Sequence, residues 1–217
     1  MKSMRIALVT IVAVFAFSAV AASSAFASPE WYAKKAGVFA KVSKATKMNF
    51  ESKFELSDTK YSAGIPLAVA CTGEGSGEIN VGGKGAISLF KVTRCEPAKV
   101  ELNWCQKFET ASMQNAPWGL ELYKEGSEIR ERIVSGGSGT PAWRFTCDTV
   151  SGIVADECNA TTSTLMTNNV SGGLVEAAFE KKSAKTQCSQ GGKEAGEWKG
   201  VLKLKANETG VEAIKVE

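Results

Sequence analysis

Apolar and polar residues alternate one by one along much of this chain. In residues 48–56, MNFESKFEL, the side chains of Met48, Phe50, Phe54 and Leu56 fall on one face and those of Asn49, Glu51, Lys53 and Glu55 on the other. That period of two marks a half-buried strand. In IPLAVAC, Ile65, Leu67, Val69 and Cys71 form the inward set, so the Cys71 thiol points at a core. WKGVLKLKAN sets Trp198, Leu202 and Leu204 against Lys199, Lys203 and Lys205. VELNWC, WGLELY and WRFTC follow the same rule, and YKEGSEIRERIV and VSGGSGTPAW read as turns between strands. Many short strands separated by such turns predict an all-β fold, an antiparallel β-sandwich or barrel, over residues 28–217 as a single domain. Residues 29–46 fit a helical stripe almost as well as a strand. Gly37 and the Thr and Val content decide for strand.

The segment CTGEGSGEINVGGKGAISLFKVTRC, from Cys71 to Cys95, is the richest in glycine. A phosphate cradle is excluded by spacing: Gly83-Lys84 is followed by Gly85 rather than Ser or Thr, and Glu78 stands where the first P-loop glycine belongs. Ile79 and Val81 precede a Gly82-Gly83 turn and Ile87, Leu89, Phe90 and Val92 follow it, which predicts a β-hairpin. The slip of phase between Leu89 and Phe90 predicts a bulge or a strand buried on both faces.

Charge and targeting place the chain. Lys2 and Arg5 precede an apolar run from Ile6 to Val20 and the small-x-small triplet Ala25-Phe26-Ala27, the layout of a signal peptide, residues 1–27. Cleavage there lowers the net charge from +3 to +1. So near a balance argues against nucleic acid as a partner. No later run approaches the ~20 apolar residues of a membrane span. The expected location is therefore outside the cell or in its envelope. There Cys71, Cys95, Cys105, Cys147, Cys158 and Cys188 are expected to form disulfides.

Histidine is absent. This removes Ser-His-Asp and Cys-His machinery and histidine-bearing zinc sites. With no Cys-x-x-Cys either, neither a metal nor a cofactor is expected. Ser57-x-x-Lys60 has the spacing of a serine acylase but follows a strand and lacks the companion motifs. Paired carboxylates remain open to such a protein, because one acid and one carboxylate suffice to cleave a glycosidic bond. The candidates are Glu121 with Glu131, and Asp148, Asp156 and Glu157; each also reads as a solvated surface acid. Trp31, Trp104, Trp118, Trp143 and Trp198 would form a sugar-stacking platform on an outer face, but their apolar phase predicts core packing.

The order Glu30-Trp31, Cys71, Phe90 with Cys95, Cys105, and Phe145 with Cys147 resembles a group of secreted bacterial all-β proteins without an assigned activity. The resemblance implies export and a β-fold. Cys158 and Cys188 stand outside that pattern, and an added pair most simply bonds to itself. The remaining four then suggest Cys95–Cys105 across a short loop and Cys71–Cys147 between two strands. These readings describe a secreted binding or structural module with an extracellular glycan or protein as its ligand; a two-carboxylate glycoside hydrolase is the alternative.

Overall fold

The computed structural model describes residues 28–137, 139–160, 162–179, 185–188 and 192–217, and the expected signal peptide lies outside them. Four long strands dominate: β3 (Thr46–Ser62), β4 (Ile65–Ile79), β5 (Lys84–Pro97) and β14 (Gly192–Ala206). They lie side by side in the order β14-β3-β4-β5, all antiparallel. Shorter strands continue the sheet in two sets. β7 (Trp118–Glu125), β8 (Glu128–Val134), β11 (Thr162–Val170) and β12 (Leu174–Phe179) follow one another from β5, and β12 pairs back onto β14. That last pairing closes a ring of eight strands. At the opposite end β6 (Lys107–Gln114), β9 (Ala142–Thr149), β10 (Gly152–Asn159) and β13 (Lys185–Cys188) run from beside β5 to the first half of β14. The result is a disulfide-stabilised, all-β barrel whose long strands serve both ends.

The interior is packed. Trp118, Trp143 and Trp198 come from β7, β9 and β14 and are all but inaccessible. The Trp143 ring lies 5.2 Å from Phe54 and 4.7 Å from Phe90, so strands on facing walls meet and the barrel is sandwich-like. Trp118 and Trp198 stand edge-on to Trp143 at 5.2 and 5.3 Å. Centroid separations of this kind add to the area burial of each ring.

The glycines of β4 make this packing possible. Gly73 and Gly75 face inward on the same phase as Cys71 and Ile79. A Cβ on Gly75 would overlap the Phe50 ring and the Leu89 carbonyl, and one on Gly73 would lie 2.5 Å from the Phe90 ring. The rings of neighbouring strands thus lie flat across bare backbone, and any larger residue would displace them.

β1 (Trp31–Lys35), β2 (Val38–Lys41) and β15 (Ala213–Val216) form a separate three-stranded sheet, order β15-β1-β2. It caps the end formed by the β4–β5 and β11–β12 turns. Asn169 holds it by both amide atoms, donating to the Val216 carbonyl and accepting from the Val216 N–H, each at 2.9 Å. Glu30 accepts from the Gly82 N–H at 3.0 Å. Trp31, fully buried, fills the mouth beneath. Residues 29–46 are thus extended, as a hairpin turning at Ala36-Gly37.

Two expectations are corrected. VELNWC forms no strand: it is an irregular connection, because Asn103 bonds to Ala68, Ala98 and Cys105 backbone groups instead of leaving the chain free to pair. YKEGSEIRERIV is more than a turn, since residues from Glu128 onward form β8.

The disulfides also differ from the expected set. Cys158–Cys188 is present, but the other two are Cys71–Cys95 and Cys105–Cys147, not Cys71–Cys147 and Cys95–Cys105. The reason lies in the hairpin. Near the turn, Gly77 faces Ile87; Ser88 and then Thr93 are extra residues on β5, and each shifts the register by one. Had the turn's register persisted, Cys71 would face Thr93. After the two bulges it faces Cys95, with Cα atoms 4.1 Å apart. The Gln106 N–H, bonded to the Asp148 carbonyl at 2.9 Å, brings Cys105 to Cys147.

Candidate functional site

Because side chains alternate along a strand, the polar set of the four long strands forms one continuous outer face. Register aligns it into rows. Glu176 of β12 faces Lys203 of β14, Lys203 faces Glu51, Glu51 faces Glu74 and Glu74 faces Lys91. Five strands at ~4.8 Å spacing make this row about 19 Å wide. On the cap side lies Lys205, Asn49, Ser76 and Leu89, and on the other Val201, Lys53, Thr72 and Arg94.

The face is hollowed into a trough. Two adjoining depressions of about 560 and 650 Å³ share Glu51, Glu74 and Lys203, and a third of about 490 Å³ continues past Lys53 and Thr72 to Glu55, Arg94 and Lys199. From Asn49 to Glu55 the floor runs about 20 Å along the strands, at ~3.3 Å per residue. Gly172 and Leu174 at the start of β12 form one wall and Leu89, pushed outward beside the Ser88 bulge, the other.

Glu51 and Glu74 sit directly opposite each other, a placement that costs stability for like charges. Among the described residues neither makes an ion pair within 4 Å. Lys203 reaches Glu176 at 4.0 Å, through largely solvated side chains. Thr72 and Thr93 join by their hydroxyls at 3.1 Å. The trough therefore offers carboxylates, ammonium groups, hydroxyls and an amide, but no aromatic ring among its lining side chains on the outer face.

The acids chosen from sequence do not assemble here. Glu121 lies on the outside of β7, bonded to Arg132 at 2.7 and 2.9 Å, whereas Glu131 on β8 points inward with 1% exposure. Their strands are neighbours, yet the two carboxyls face opposite sides of the sheet. On β9 and β10, Asp156 faces inward beside Phe145, while Asp148 and Glu157 take the outward phase. Burial pushes the Glu131 carboxyl up to about 8.

The other motifs resolve into structure. Ser57 and Lys60 both lie in β3, where residues three apart face opposite sides, so they form no nucleophile pair. Asp156, Cys158 and Cys188 bring one oxygen and two sulfurs within 4.8 Å of one another, but the sulfurs are joined in a disulfide and supply no thiolate ligand. Trp31, Trp118, Trp143 and Trp198 are core; Trp104 is half-buried at the end opposite the cap, its Nε1 donating to the Ser62 carbonyl at 3.3 Å.

No protein-family model, curated protein or solved structure matches this chain. Three disulfides are compatible with an extracellular protein, and among the described residues no helix is long and apolar enough to cross a membrane.

Proposed function

We propose that this is an exported binding module whose ligand is an extended polar chain, glycan or peptide, lying in the trough on the outer face of β14, β3, β4 and β5. The observation that carries this reading is the register-aligned row Glu176, Lys203, Glu51, Glu74, Lys91, set in depressions large enough for several sugar rings or a short peptide. A packed interior leaves the outside as the contact surface. The disulfides suit a scaffold that keeps such a row in place outside the cell.

The test is a glycan array and a library of extended peptides probed with the oxidised protein. Reversing the row with Lys203→Glu and Lys91→Glu removes binding under this reading. Retention by the doubly reversed variant of a ligand bound by the parent protein overturns it.

A second reading has one specific observation in its favour. Glu51 and Glu74 are opposed carboxylates with Cβ atoms roughly 5 Å apart, and glycoside hydrolysis needs two carboxyl groups on one cleft. Turnover of a chromogenic glycoside that Glu51→Gln or Glu74→Gln abolishes would make the protein a hydrolase.

A further inference from the structure

Among the described residues, the cap-end half of the barrel contains one ionisable group on its inner face. Glu131 lies midway along β8, between the inward residues Ile129 and Ile133, and faces Leu122 of β7 and Leu165 of β11 across the ladders. Its Oε1 has no hydrogen-bond partner. Diagonal to it, on the inner face of β11, Ser163 and Thr167 are 1% and 5% exposed, and their hydroxyls are likewise unpartnered.

No cation among the described residues faces this group. The inward residues of β7 are Trp118, Leu120 and Leu122, and those of β12 are Val175, Ala177 and Phe179. The inner face of β3 and β14 presents Met48, Phe50, Leu202 and Leu204, and the cap contributes Trp31. The charged residues of these strands take the other side: Arg132 holds Glu121, and Arg130 holds Glu125 at 2.7 Å and Glu128 at 2.9 Å. Lys124 is exposed at the β7–β8 turn, and Glu176, Lys203, Glu51 and Lys53 line the trough. A carboxylate here would thus meet only apolar side chains and two hydroxyls, whereas a carboxylic acid can be accommodated.

We propose that Glu131 is a proton-operated latch on the β8–β11 seam: uncharged, it lets the two strands close over the interior; ionised, it draws water between them and the seam parts. The seam suits this role, because among the described residues β8 and β11 pair at five positions and no disulfide crosses them. Opening exposes the carboxyl to water, so the open form holds its proton less tightly than the closed one. The opening equilibrium then rises about tenfold per pH unit until the closed form ionises as well.

Amide hydrogen exchange of the full oxidised chain from pH 5 to 9, corrected for intrinsic rates, reads this directly. Protection of β8 and β11 amides is expected to fall about tenfold per pH unit up to about pH 8 and then level off, and to lie below that of β9 and β10 amides, which open only with the whole fold. Glu131→Gln, which keeps shape and hydrogen-bonding capacity but carries no proton to lose, is expected to flatten that slope. The same slope in Glu131→Gln, or none in the parent protein, overturns the proposal. If the variant fails to fold, ¹³C-carboxyl NMR of the parent protein decides. Titration of Glu131 together with β8 and β11 amide shifts supports the latch; titration in the ordinary glutamate range overturns it.

Discussion

At the cap end the barrel is held by packing and by the pairing of the first and last described strands: Trp31 in the mouth, β15 against β1, and Asn169 clamping Val216. At the other end all three disulfides lie among β4, β5, β9, β10, β13 and the irregular connection before β6. One end uses a fitted plug. The other uses covalent ties. The four long strands pass through both, so loosening either end is felt along the trough they share.

Acidity should distinguish the ends most strongly. Glu131 binds its proton up to about pH 8 in the folded chain, against 4.5 for an ordinary glutamate. Below pH 4.5 both folded and unfolded chains are protonated, and the folded state keeps its full stability. As pH rises to 8 the unfolded chain alone releases this proton, so stability falls, and above pH 8 the loss is complete. At ~1.4 kcal/mol for each pH unit of that window, the loss is on the order of 5 kcal/mol. Denaturant midpoints from pH 4 to 9 should show it, and Glu131→Gln should raise the midpoint at pH 8 while leaving it nearly unchanged at pH 4.

Removing the plug comes next. Trp31→Ala deletes a fully buried ring, a change that costs ~3–5 kcal/mol. Hydrogen exchange should show β7, β8, β11 and β12 losing protection first. Simultaneous loss in β9 and β10 would show that the two ends are one cooperative unit.

The covalent end gives the third comparison. Cys105–Cys147 spans 42 residues and Cys71–Cys95 spans 24. By chain entropy their paired Cys→Ala replacements cost about 4 and about 3.5 kcal/mol, respectively. Larger cost for the shorter span would mean that the Cys71–Cys95 bond acts by fixing the bulged register of β5 rather than by shortening the unfolded chain. Non-reducing peptide mapping checks the pairing first.

The strands were legible where one face is dry and the other wet. Met48 to Leu56, Ile65 to Cys71 and Trp198 to Leu204 show their phase directly, and the hairpin's slip near Phe90 announced its bulge. What could not be read was anything set by counting across strands. The second bulge, at Thr93, has no hydrophobic signature, since it falls among polar residues; without it Cys95 cannot be placed opposite Cys71. Glu131 sits on the inward phase between Ile129 and Ile133, so its burial was visible in principle, but its charge made it read as a surface acid. The trough was invisible for a similar reason: Glu51, Glu74, Lys91 and Lys203 are far apart in sequence and look like solvated outer faces until register lines them up.

The smallest expected effect tests whether that alignment has a use. Glu51 and Glu74 face each other without an ion pair among the described residues, and opposed like charges on neighbouring strands cost roughly 0.2–1 kcal/mol. Glu74→Gln should therefore stabilise the protein by that amount at low salt and by less at high salt, where screening weakens the repulsion. The gain should appear equally in exchange from both ends, because β3 and β4 run through each. A variant that gains stability yet loses its trough ligand would show that the repulsion is retained for binding. A variant that gains stability and binds unchanged would confine the ligand's contacts to the lysines on either side.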